Sequence, residues 1–342
     1  MTQNNTAIER HLGKSSEYKT SYDPAVLVRE PRQSNRTHLG INDDDLPFVG
    51  VDTWNAYEVS GLTKTGRPVA ALAKIVYPCT NKYIVESKSL KLYFNTFNMT
   101  KLGSTADEVM DAIKVRVTKD LSELLETEVQ VSVYSSDIPN LEITSPYLEY
   151  HSNNMIEVGT LDEQEDDTVE LSEEDPDSFD SDFDNRESID GPGTAITLED
   201  IIVADSTEIT VYTETPGLLE VIESDSTPVH YHSALLKSNC RVTSQPDWGD
   251  VYIYMQGTKT VTPESLLRYI ISFRDECHFH EEICETIYKR LWDLTSPEKL
   301  HVMCLYARRG GIDICPSRAS DSTLLHTSLS CAGITHIKTA RQ

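Results

Sequence analysis

Glu86-Ser87-Lys88-Ser89-Leu90-Lys91-Leu92-Tyr93-Phe94-Asn95-Thr96-Phe97 reads as one helix, with Leu90, Tyr93, Phe94 and Phe97 on one side. Glu86 opens it, where the helix dipole favours a carboxylate. The same spacing returns 176 residues on: Ser89 falls on Ser265, Leu90 on Leu266, Tyr93 on Tyr269 and Phe97 on Phe273. Two unrelated amphipathic helices would match equally well, so the neighbouring elements decide. Before the first helix, Trp54–Leu62 and Val69–Tyr77 read as strands joined by a turn at Lys64-Thr65-Gly66. After it, Thr105-Ala106-Asp107-Glu108 has the form of a capping box. It opens a helix through Val109, Ile113, Val117, Leu121 and Leu124, and Val129, Val131 and Val133 alternate as a strand.

The second half repeats this order. Strands flank a loop carrying Cys240, and Thr262-Pro263 starts a helix. Phe279, Ile283, Ile287 and Leu291 mark another helix, and Leu300–Tyr306 closes as a strand. The chain therefore reads as an α+β protein of two similar copies, 1–150 and 195–342, separated by an insertion at 151–194. Where the second copy carries the Cys240 loop, the first has only its short turn, so catalytic parts are divided between copies.

The insertion is acidic. Between Leu161 and Asp190 stand 15 acids against Arg186, net −14, so the other 312 of the 342 residues carry −12 of the −26 total. Such a run repels nucleic acid and anionic lipid. It has too few apolar residues to build a core and is expected to be disordered, as a solvated insertion or a binding segment. Seven cysteines, an odd number without a Cys-x-x-Cys pair, point to a reducing compartment. The polar N-terminus reads as no signal peptide, and no run reaches the roughly 18 apolar residues of a membrane span. The expectation is a cytoplasmic protein that binds neither nucleic acid directly nor membrane.

Four runs carry chemistry. In Cys240-Arg241-Val242-Thr243-Ser244-Gln245-Pro246-Asp247-Trp248-Gly249, a thiol and a carboxyl lie seven residues apart, a spacing that suits a nucleophile and its proton donor. A lone cysteine is more often an inert small hydrophobe. Cys277-His278-Phe279-His280-Glu281-Glu282 gathers ligand-type side chains, but the spacing matches no standard zinc pattern. His280 and Glu281 can share a pocket only at a helix start. Arg308-Arg309-Gly310-Gly311 offers guanidinium forks beside free amides for phosphate, or is simply a charged hairpin turn. The Glu86 run is a cleft-lining segment or a well-capped amphipathic helix. No G-x-G-x-x-G occurs, so a Rossmann domain is not supported.

Together the Glu86–Tyr93 run, Cys240 with Gln245-Pro246-Asp247-Trp248-Gly249, Phe279-His280-Glu281 and Arg308-Arg309-Gly310-Gly311 resemble the NADPH-dependent 7-cyano-7-deazaguanine reductases, the nitrile reductases of queuosine biosynthesis, in their long two-module form. The resemblance covers about Leu12–Pro146 and Ala195–Pro316. It implies two tandem tunnelling-fold modules, antiparallel sheets backed by helices, in a homodimer, and reduction of a nitrile to an amine with two NADPH. It implies Cys240 as the nucleophile that forms a thioimide and Asp247 as the proton donor. Val85, Glu86, Ser87, His280 and Glu281 would hold the deazapurine; Ser87, Lys88, Arg309 and Gly310 would contact the dinucleotide; no metal is implied. The acidic insertion and the tail after Ser317 depart from the family pattern and touch no motif. Two other readings stand beside it: a zinc-dependent, pterin cyclohydrolase-like hydrolase using Cys240, His278 and His280, and a non-catalytic acidic interaction protein.

Overall fold

The computed structural model describes residues 19, 21–136, 143–144, 194–198, 208–339 and 342; the acidic run from Leu161 to Asp190 lies outside the described residues. In the first half come β1 (Val49–Thr63), β2 (Pro68–Pro78), α1 (Ser87–Phe97), α2 (Ala106–Leu125) and β3 (Gln130–Ser135). In the second come β4 (Val229–Cys240), β5 (Pro246–Gln256), α3 (Pro263–Ile271), β6 (Cys277–His278), α4 (His280–Thr295), β7 (Lys299–Tyr306) and β8 (Ile312–Ala319). One ten-stranded sheet runs β6-β4-β5-β7-β8-β1-β2-β3, with the short strand Lys101–Gly103 beside β1 and Thr194–Thr197 beside β4. The β4-β5-β7-β8-β1-β2-β3 ladder is antiparallel throughout.

The halves correspond in detail. The β1–β2 hairpin slips register between Ala56 and Val59, and the β4–β5 hairpin slips between Ser233 and Leu236, 177 residues on. In each, a short strand then pairs parallel with the end of the first hairpin strand: Leu62 with Lys101, and Asn239 with Cys277. A bulge at one fixed place turns the strand locally, and here both copies of the hairpin carry it.

The helix starts follow from their caps. Glu86 accepts hydrogen bonds from the amides of Lys88 (2.8 Å) and Ser89 (2.6 Å). Thr105 accepts from Glu108 N at 3.2 Å, but Glu108 reaches back to Ser104 N, one residue earlier than a capping box requires. Thr262 accepts from Ser265 N.

Two expectations change. Cys240 and Asp247 do not sit in a long loop: Cys240 ends β4 and Asp247 belongs to β5, paired with Ser238 across a tight turn. The polar, Pro-containing run hid two strands that are held by pairing, not by hydrophobic alternation. Leu300–Tyr306 does not close the half either. It turns at Arg308–Gly311 into β8, which pairs from Ile312↔Ala56 to Ala319↔Val49 with β1. This partner extends β1 five residues beyond its apolar alternation and joins the halves into one sheet.

Helices cover one face. The α1/α2 core of the first half includes Ile312 and Ile314 of β8, while the α3/α4 core of the second includes Leu39, Ile41, Phe48 and Cys79 from the first. Each core thus borrows from the other half. Between them, charges are buried. Arg318 reaches Asp52 (2.9 Å) and Glu285 (3.0 Å), and Arg36 reaches Glu285 (2.7 Å). Arg32 pairs with Asp52. Burial pushes the Asp52 and Glu285 carboxyls up, but the surrounding guanidiniums outweigh it and hold both below the usual range. On the opposite face of the sheet lies the C-terminal tail, where Leu329 and Ile337 pack with Tyr252, Met303, Leu305 and Cys315. Among the described residues no helix is long and apolar enough to cross a membrane.

Candidate active site

A cleft opens where the halves meet. The first half brings Val85, Glu86, Ser87, Lys88 and Lys91; the second brings Cys240, Asp247, His280, Glu281 and Arg309, with Ile312 and Ile314 as an apolar wall. Four separate stretches of sequence therefore meet in one place. Gly310 lies in an adjoining hollow with Lys91 and Glu58.

Cys240 and Asp247 share a face. Asp247 pairs with Ser238, and Ser238 and Cys240 are two residues apart on one strand, hence on the same side of the sheet. The Arg241–Gln245 turn is fixed by Cys240 N donating to Gln245 O at 2.8 Å and Ser244 N to Cys240 O at 2.9 Å. All seven cysteines are free, and Cys240 is half-buried.

Asp247 is only 3% exposed. Arg309 donates to one oxygen of its carboxyl, and His280 Nε2 stands 3.5 Å from the other. Burial pushes this carboxyl up, but the contact with His280 and then the Arg309 charge outweigh it, so Asp247 is an ionised carboxylate. A proton donor in this state must first be given its proton. Arg309 also donates to Gln245, so its fork is engaged within the site and not held open toward a phosphate.

His280 and Glu281 are the first two residues of α4, and both line the cleft, as a helix start allows. The His280 ring packs 3.9 Å from that of Tyr306. Glu281 is 2% exposed, and its Oε1 is buried without a hydrogen-bond partner. Burial, then the Asp52 charge, pushes its carboxyl up to about 8, against the pull of Arg32 and Arg318. A buried acceptor without a partner costs about 1–3 kcal/mol, and a ligand with N–H groups would remove that cost. Glu86 differs: both oxygens are already bonded to the start of α1, leaving only their second lone pairs toward the cleft.

The residues of the zinc alternative are separately engaged. His278 lies between Glu276 (3.2 Å) and Glu282 (3.3 Å), whose hydrogen bond and charge outweigh burial and raise its pKa, while His280 faces Asp247. Among the described residues no group of three ligating side chains is placed to hold a metal ion.

Sequence reasoning missed Lys91, which lines both hollows. Burial and the neighbouring Arg309 lower its pKa. Its signal was present, one helical turn after Ser87 on the face that meets the cleft. Asp52 and Arg318, which act on Glu281, left no local signal.

Comparison with known proteins shows which family this chain resembles. A family model described as "Nitrile reductase, 7-cyano-7-deazaguanine-reductase N-term" matches residues 18–133, and one described as "QueF-like protein" matches 246–323. The chain is 36% identical over 322 residues to the NADPH-dependent 7-cyano-7-deazaguanine reductase of Rickettsia bellii, covering 94% of this chain and 95% of that one. It is 37% identical to the protein of the same name from Ralstonia nicotianae, over 91% and 93% of the two chains. The like-named protein of Colwellia psychrerythraea is 36% identical, over 93% and 94%.

Proposed function

The chain belongs to the NADPH-dependent 7-cyano-7-deazaguanine reductases, and from that premise we propose how its cleft performs the reaction. The protein is an oxidoreductase of queuosine biosynthesis, a tRNA-modification pathway. It reduces the nitrile of 7-cyano-7-deazaguanine to the primary amine of 7-aminomethyl-7-deazaguanine with two NADPH. The observation that carries the mechanism is a half-buried thiol sharing a cleft with Glu281, whose buried Oε1 has no partner.

The carbonyl oxygen of Glu281, whose carboxyl keeps its proton at neutral pH, accepts a ring N–H of the deazapurine, with Glu86 contributing its remaining lone pairs from the opposite wall and Val85, Ser87 and His280 alongside. The nitrile carbon then faces Cys240. Adding S–H across C≡N needs a base for the thiol and an acid for the nitrogen. Asp247, held ionised by His280 and Arg309, takes the Cys240 proton and passes it to the nitrile nitrogen. The C–S bond forms as one C–N π bond breaks, giving a thioimide with the charge balanced. Asp247 is thereby the proton donor, recharged by the nucleophile itself.

The residues present fit a dinucleotide. Lys88, Lys91 and Arg309 line the cleft, and Gly310 and Gly311 hold left-handed φ values of +55° and +74° at its rim. Two NADPH, bound in turn, would each supply one hydride to this carbon, and between the two the C–S bond would break to return the Cys240 thiolate. Ser87, Lys88 and Gly310 would hold it, with Arg309 joining once it turns from Asp247.

The repeated hairpin bulges and element order support two tandem tunnelling-fold modules, 1–150 and 195–342, around an insertion at 151–194. The partners in this reading are a small deazapurine and a second copy of the chain, without direct nucleic-acid or membrane binding. The free thiols suit the cytoplasm.

Mixing the protein with 7-cyano-7-deazaguanine without NADPH should give a covalent adduct by mass spectrometry, absent in Cys240→Ala; NADPH absorbance should then fall on its addition. An adduct persisting in Cys240→Ala would overturn the nucleophile. No NADPH oxidation would overturn the reaction.

A further inference from the structure

The strands that wall the cleft have a second face. Ile312 and Ile314 point into the cleft, so Asp313 and Cys315 point away from it. There the C-terminal tail holds them. Lys338 donates to Asp313 at 2.6 Å; the Asp313 side chain is fully buried and that of Lys338 is half-buried. Asp313 also accepts from Asn55 (2.7 Å) and Tyr57 (2.6 Å). The Arg308 guanidinium stacks 3.5 Å over the Tyr57 ring. Gln342 donates to the Tyr306 carbonyl at 3.1 Å and to Cys315 Sγ at 3.2 Å. The tail thus grips Tyr306, Asp313 and Cys315, on both legs of the hairpin whose tip presents Arg309. Tyr306 itself backs the His280 ring.

We propose that Lys338 and Gln342 are positioning residues: from behind the sheet they fix the hairpin that aims Arg309 at Asp247. This rests on the roles of Arg309 and Asp247 given above. Without the Lys338 ammonium, Asp313 keeps three neutral donors, Asn55, Tyr57 and the Cys315 thiol, but loses the Lys338 counter-charge, and the legs are free to shift. Arg309 must span from the tip to a carboxylate on β5, so a small shift at the legs is felt there.

The test is a double-mutant cycle. Lys338→Met should lower turnover about tenfold at a temperature where the protein is fully folded, within the range of coupling between connected residues. Lys338→Arg should restore most of it. In an Arg309→Ala background, Lys338→Met should cost less than about twofold, because the group it positions is gone. The same cycle is read independently from the rate at which iodoacetamide alkylates Cys240 across a neutral pH range. That readout needs neither nitrile nor NADPH, so a failed reductase reading and a failed tail reading are told apart. Unchanged turnover and alkylation in Lys338→Met overturns the proposal, as does an equal loss with and without Arg309. If Lys338→Met does not fold, Gln342→Ala, which removes only the grip on Tyr306 and Cys315, takes its place in the cycle: a loss that vanishes without Arg309 supports the proposal, and any other result overturns it.

Discussion

Glu281 keeps its proton at neutral pH because it is buried beside Asp52, and this has a measurable consequence. A glutamate in an unfolded chain titrates near about 4.3; in the fold this one titrates at about 8. Below about pH 4 both states are protonated and nothing is lost. As pH rises toward 8 the unfolded chain has shed a proton that the fold retains, so this residue's contribution to stability falls across that window. Glu281→Gln carries no such slope. The stability of the wild type relative to Glu281→Gln should therefore drop between about pH 5 and 8, by up to about 1.4 kcal/mol per unit. Parallel denaturation curves at both pH values would refute the assignment. Of these residues, Cys240, Asp247, His280 and Glu281 were legible because their neighbours along the chain form recognisable runs. That Arg309 holds Asp247, or that Asp52 acts on Glu281, was not, since each pairing joins residues far apart in sequence.

At the scale of elements, α1 shows how one residue serves both structure and site. Glu86 opens the helix and satisfies two of its free amides, and it also stands on the cleft wall, where the proposed reading has it hold the ligand. Glu86→Ala should lower stability by about 0.5–2 kcal/mol, as loss of a cap does, measured by urea unfolding. It should also weaken substrate binding by about tenfold or more, the scale of a hydrogen bond to a charged group, measured by calorimetry. A stability loss with wild-type affinity would return Glu86 to a purely structural role. The helices themselves were readable from period and caps: α1, α2 and α4 fall within a few residues of their apolar pattern, because each buries one continuous face. The strands at the site were less so. The later part of β5 was readable as a strand, but its start at Pro246 was not, and β8, uniformly buried, does not announce itself by alternation.

At the scale of the whole molecule, the buried charges bind the halves to each other. Glu285 of α4 answers Arg36 from the first half and Arg318 from β8. Removing one member of such a cluster strands the others in low dielectric and costs about 3–5 kcal/mol. Glu285→Ala should therefore lower stability by that amount in urea unfolding and keep a single transition, since each core borrows side chains from the other half. Two separated transitions would mean that the halves unfold independently. The sequence read as two copies without any sign of the one sheet that joins the halves, because the joining strand lies beyond what looked like the closing one. That strand has a further consequence in time. On the ribosome, β1 is made early, yet its edge from Val49 to Ala56 finds its neighbour only when residues 312–319 emerge. Through most of synthesis a long, unsatisfied strand edge waits in a nascent chain, a template for pairing with the wrong partner. The β8–β1 ladder is thus among the last that this chain can form, and a chain cut short before Ile312 keeps the Val49–Ala56 edge open.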